Sequence, residues 1–162
     1  MPIVDCGFSQ AAATAAGITP EDALVRLGPT LQVDIGFDPA LFGQALPPIP
    51  GATVPPLAIS PISVPALLDT GAQESSIDED LAQQLKLPLI DQETRSGISG
   101  PIVLNVYLAH IVIPTVGTQY GRFTGVYLQK GGQFHKALIG RTMLSDMLLV
   151  YDGRNGSVQL AR

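Results

Sequence analysis

The sequence predicts an all-β domain of short strands and tight turns. The 162-residue chain carries 17 glycines and 14 prolines, only 14% of it is charged, and β-branched residues are abundant. That mix suits many strands joined by turns and not a helical bundle. The length allows one domain with a real core and hardly two. The formal net charge is −5 and no stretch clusters Lys and Arg, which argues against a nucleic-acid surface. A single cysteine, Cys6, excludes an internal disulfide framework and a Cys-rich metal site. His110 and His135 lie far apart without ligand spacing, so each reads as structural or surface, and no metal or other cofactor is expected.

Residues 1–28 read as an N-terminal appendage to a domain spanning 29–162. Ile3–Cys6 suits a short strand, whereas "SQAAATAAG" carries little information. "TPEDALVRLG" predicts a helix: Thr19 caps it, Pro20 fits its first turn, Glu21 and Asp22 suit its positive end, and Gly28 stops it. "TLQVDIGF" alternates as a strand does. The stretch 38–65 holds eight prolines and is expected to be a long loop or extended arm, an insertion in the domain.

The organised part is expected to begin at Val64. "VPALLD" is a continuous apolar run, read as a strand buried on both faces. "TGA" turns the chain, "ESSI" returns as a strand, and "DEDLAQQLKL" is a helix capped by Asp78. "RSGISGPI" is the tip of a hairpin between two extended arms. "IVLNVYLAHIVIP" and "RFTGVYLQ" are strands joined by a loop, in which Tyr107, Tyr120 and Tyr127 pack the sheet. "KALIG" is a short strand, "RTMLSDM" a helical turn, and "LLVYDGRNGSVQLA" a closing hairpin around "DGRNG". The N-terminus has no basic region or long apolar core, so it does not read as a signal peptide. No apolar run reaches the ~18 residues of a membrane span. The expectation is a cytoplasmic protein without a membrane partner.

One stretch stands out chemically. In "ALLDTGA", three apolar residues run into Asp69, a costly place for an unpaired carboxylate. Three features occur in order: this strand into "DTGA", the glycine-flanked "SGISG" about 25 residues on, and "ALIGRTML" near the end. In that arrangement the chain resembles the retropepsin family, the retroviral-type aspartic proteases and their cellular and bacterial relatives, over roughly residues 30–162. The resemblance implies a retropepsin-like closed β-barrel, one acid-protease lobe per chain, with one or two short helices and a flap hairpin. It implies that Asp69 is the catalytic aspartate, that Thr70 bonds across to a second subunit, and that Gly71 admits substrate backbone. Ala72 matches the small residue beside them. Gly97, Ile98, Ser99 and Gly100 match the flap tip, and Leu138 a pocket-lining position. Gly140 and Arg141 match the pair that opens the C-terminal helix and braces the catalytic loop.

These residue types suit peptide hydrolysis. One carboxylate takes a proton from water while a second, protonated, gives one to the carbonyl. Two carboxyls held together share one proton. The chain holds one Asp-Thr-Gly, so the second aspartate must come from another copy about a two-fold axis. The implied partners are a second copy of the chain and a peptide or protein substrate. The resemblance makes the terminal strand Ser157–Ala161 the candidate interface, since retropepsins pair their terminal strands there. Gln73 stands where retroviral members commonly carry an acid, which removes the usual ion-pair partner of Arg141; Glu74 beside it has two readings, selection of a substrate side chain or simple solvation, and solvation is the one preferred. A second class of function remains open, a retropepsin-like fold used for binding or dimerisation with little turnover.

Overall fold

The computed structural model describes residues 1–40, 62–97 and 100–162. Of these, 48% lie in strands and 17% in helices, so the protein is mostly β as expected. Most of the proline-rich arm, and Ile98 and Ser99 at the hairpin tip, lie outside the described residues.

The chain opens with β1 (Ile3–Asp5), α1 (Gln10–Ala15) and α2 (Pro20–Leu27). The stretch that carried little information is the helix α1, its first turn closed by Ser9 accepting from the Ala12 N–H. Thr19 caps α2 in the same way, and its last turn ends at Gly28. Strand β2 (Thr30–Gly36) buries Leu31, Val33 and Ile35 in alternation.

β3 (Ile62–Leu68) starts earlier than expected and takes in the last residues of the proline-rich stretch. It alternates, with Val64, Ala66 and Leu68 buried and Ser63 exposed, so it is not buried on both faces. Pro65 is tolerated because a strand needs its carbonyl there, which accepts from Lys136 N at 2.9 Å. Then come β4 (Ser75–Asp78) and α3 (Glu79–Gln84), whose cap is Asp78. Strands β5 (Leu89–Gly97) and β6 (Gly100–Ile113) form the hairpin. A tight turn at Pro114–Val116 leads into β7 (Gly117–Val126), so the expected loop before Arg122 is already strand. β8 (Ala137–Ile139), α4 (Arg141–Leu144), β9 (Leu148–Asp152) and β10 (Ser157–Ala161) complete the chain.

The main sheet runs β2-β3-β8-β4-β7-β6-β5, with β2 also paired to β6. The pairings therefore return on themselves and leave β5 outside the ring, but the strands are not spread evenly round one axis. The core is the inner face of this ring, with Ile35, Ile77, Ile111, Phe123 and Ile139 fully buried. Each such side chain contributes about 1.5–3 kcal/mol of burial.

A second sheet, β1-β10-β9, shares that core through Cys6, Val158 and Leu160. β10 lies in its middle, paired on both sides. The expected interface strand Ser157–Ala161 thus has no free edge; among the described residues the open edge on the C-terminal side is β9. Burial, and then the Asp5 charge, push the Cys6 thiol up to about 12, as suits an inert thiol. His110 and His135 are buried too, and burial holds both imidazoles below their ordinary range. Tyr107 packs inside, but Tyr120 and Tyr127 are exposed, and the Tyr127 ring carries Lys130 Nζ at 4.3 Å. Among the described residues no helix is long and apolar enough to cross a membrane.

Candidate active site

β3 and β8 run parallel, with Leu67 beside Leu138 and Leu68 beside Ile139. Asp69 N continues that ladder into Ile139 O at 2.9 Å, so Asp69 is the first residue off a central strand. The chain then wraps its side chain. Oδ1 accepts from Gly71 N at 2.9 Å and Ala72 N at 3.2 Å, an Asp-led turn that small residues permit. Among the described residues Oδ2 accepts nothing. The half-buried carboxylate is therefore fixed through one oxygen and open through the other.

The β8–α4 corner holds this turn from behind. Arg141 N donates to Ala72 O at 3.1 Å and Thr142 N to Gln73 O at 3.0 Å. Arg141 Nη1 donates to Thr70 O at 2.7 Å, so the guanidinium that lacks an acid at position 73 meets a carbonyl instead. Gly140 N donates to Ser75 Oγ at 3.1 Å. A Cβ on Gly140 would fall on the carbonyl of Glu74, so only glycine allows this approach. Thr70 and Gly71 are exposed, Ala72 and Leu138 half-buried. Behind Thr70, an apolar cavity of about 290 Å³ reaches past Arg141 and Leu144 to Leu149 of β9.

Gly97 faces Gly100 across the hairpin tip, and the +111° φ of Gly100 is one that side chains rarely adopt. No hydrogen bond among the described residues joins either glycine to the 69–72 turn. The link runs through charged side chains. Arg95 Nη2 donates to Glu74 Oε2 at 3.2 Å, Glu93 Oε2 at 3.0 Å and Thr124 Oγ1 at 3.3 Å. Arg122 Nη2 reaches Asp91 at 3.0 Å and Glu93 at 3.1 Å. The hydrogen bond from Arg95 holds the Glu93 carboxyl below its usual range, and that from Arg122 does the same for Asp91.

Asp69, Thr70, Gly71, Ala72, Gly140 and Arg141 thus form one cluster, with Leu138 in register beside it. Ile98 and Ser99 lie outside the described residues. Arg95, Thr124 and the pairing of Glu74 were not read from the sequence, where Glu74 was expected to be solvated. The available signal was period two: Arg95 stands two residues before Gly97 and shares its face. Residues 56–143, just over half of the chain, match the family model described as aspartyl protease. A comparison with curated proteins finds no match.

Proposed function

The chain belongs to the aspartyl protease family, of retropepsin-like type, and from that premise we propose that it is a homodimeric aspartic endopeptidase with one Asp69 from each chain. The observation that carries this reading is the Asp69 carboxylate itself, held at the end of a central strand with one oxygen bound by two backbone N–H groups and the other open. In the proposed dimer the two open carboxyls face each other and share a proton. The ionised one takes a proton from water, the water attacks the peptide carbonyl, and the protonated one donates to the carbonyl oxygen. The exposed Thr70 side chains link the two turns. The sheet ring serves as one acid-protease barrel lobe and residues 29–162 as the catalytic unit, to which residues 1–28 are joined by β1 on β10 and by Cys6 and Leu24 in the shared core. An extended peptide lies between the turn and the hairpin, beside Ala72, Gly97, Gly100 and Leu138.

The dimer contact is reassigned from β10 to β9, whose outer edge is unpaired among the described residues and exposes Leu148, Val150 and Tyr151. The apolar cavity beside Thr70 reaches this strand. Pairing β9 of two copies would bury an edge that a lone chain leaves open.

The test is cleavage of unfolded casein by the purified protein, with and without pepstatin, beside Asp69→Asn. Pepstatin-sensitive cleavage that Asp69→Asn abolishes supports the reading. Peptide binding without cleavage would move it to a binding module, and cleavage retained in Asp69→Asn would exclude the aspartic mechanism.

A further inference from the structure

We propose that Glu74 and Arg95 form a charged wall of the substrate cleft that selects peptides with a basic side chain close to the cut bond; the proposal rests on the protease reading of the Asp69 site. Glu74 follows the catalytic turn directly. Its backbone is fixed there by Gly140, which packs on its carbonyl, and by Thr142 N on the carbonyl of Gln73. Its side chain therefore leaves from a stretch of backbone that the β8–α4 corner holds.

Arg95 comes from the opposite side, the hairpin arm two residues before Gly97. The ion pair between them, 3.2 Å long, crosses the space between hairpin and catalytic turn. A peptide lying extended in that space must run along it. Strand register places the neighbouring charges on the same face: Asp91 sits opposite Val106, and Val106 opposite Thr124, which Arg95 also contacts.

The charges on this face do not balance. Glu74, Glu93 and Asp91 stand against Arg95 and Arg122, three carboxylates to two guanidinium groups, so one negative charge is left over. Both guanidinium groups already bridge two carboxylates. Among the described residues Glu74 engages only Oε2, and its side chain keeps 32% exposure, which leaves Oε1 as an acceptor beside the cut. A lysine or arginine of the substrate fits that oxygen, its aliphatic stem lying along the wall. The net charge of −5 adds a weak general attraction for such peptides.

The test uses binding as well as cleavage. Fluorescent peptides of one apolar parent sequence, carrying Lys, Glu or Leu at each position around the cut, are titrated by anisotropy into Asp69→Asn protein and digested by the unaltered protein. At one position the lysine peptide should bind about two- to fivefold tighter than the leucine peptide, the range of an exposed ion pair. Adding Glu74→Gln should erase that preference, and raising salt from 0.1 to 1 M should shrink it. Equal binding of all three peptides, a glutamate preference that Arg95→Met removes, a lysine preference that survives Glu74→Gln, or no binding at all would each overturn the proposal. Binding as proposed with no cleavage by the unaltered protein would sink the protease reading alone.

Discussion

The Asp69 turn and the hairpin opposite it are held by different forces. Residues 69–75 are fixed by main-chain hydrogen bonds to β8 and α4, and by a glycine contact with no room to give. The outer hairpin strand β5 is exposed along most of its length; its backbone is laddered to β6, and its ties beyond that hairpin run through Arg95, Arg122 and their carboxylates. Backbone bonds and close packing fix position and depend little on solvent. Exposed ion pairs are each worth under about 1 kcal/mol and are screened by salt. The Asp69 carboxylate is thus built in, while the charged ties of the hairpin can be broken at small cost, a division that suits the proposed entry of a peptide.

Substitutions can sharpen or break that contrast. The largest effect should come from Asp69→Asn, which removes the group the turn exists to hold. Proteolysis should fall by about a thousandfold or more while the thermal midpoint moves little, since the amide can still accept from Gly71 and Ala72. A variant that loses its fold together with its activity would show that the carboxylate is structural. Next is Gly140→Ala. Its methyl group meets the Glu74 carbonyl, so urea unfolding should show a loss of about 1–3 kcal/mol, with kcat falling because the turn shifts. Unchanged kcat would mean that the β8–α4 corner does not position the turn.

Acid should act on the sheet and not on the hairpin. His110 and His135 are buried with their imidazoles held below the ordinary range, mainly by desolvation. His110 Nδ1 accepts from Asp38 N at 3.0 Å, and His135 Nε2 lies 2.7 Å from Thr30 Oγ1. Below pH ~6.5 the unfolded chain takes up protons that the folded chain refuses. Stability is therefore full above that pH and falls as pH drops toward the folded values, by at most about 1.4 kcal/mol per unit for each histidine. Urea midpoints from pH 8 to pH 4 would show this, and His110→Gln should flatten part of the slope. A slope unchanged in His110→Gln would place the titration elsewhere.

The smallest effect belongs to the hairpin. Arg122→Met should cost under about 1 kcal/mol in global stability yet speed hydrogen exchange over Leu89–Gly97 a few-fold, an effect that 1 M salt reproduces in the unaltered protein. Exchange there that ignores both would mean that packing, not charge, holds β5.

The sequence was legible where the determinant is local. The alternation in β2, the Thr19 and Asp78 caps, the hairpin around Gly97–Gly100 and the Asp-led turn after Leu68 each depend on a few neighbouring residues. It was opaque where partners are distant. β3 looked doubly buried because Pro65 and Leu67 are apolar, though both stay partly exposed. The resemblance pointed to β10 as an interface strand, and its second neighbour, β1, comes from the far end of the chain and leaves no local trace. Glu74 looked solvated because Arg95, which pairs with it, lies 21 residues on, and sheet register alone brings them together.

The central claim is that one chain holds half an active site, and mixing chains tests it most directly. Unaltered protein is re-equilibrated with increasing amounts of Asp69→Asn chain at constant unaltered concentration, and cleavage is measured while sedimentation confirms exchange of subunits. If each site needs an Asp69 from both chains, activity per unaltered chain should fall in proportion to the fraction of its partners that still carry the aspartate, about tenfold at a ninefold excess of the variant. Activity per unaltered chain that stays constant, with mixed dimers formed, would show that a single Asp69 suffices and would contradict the account.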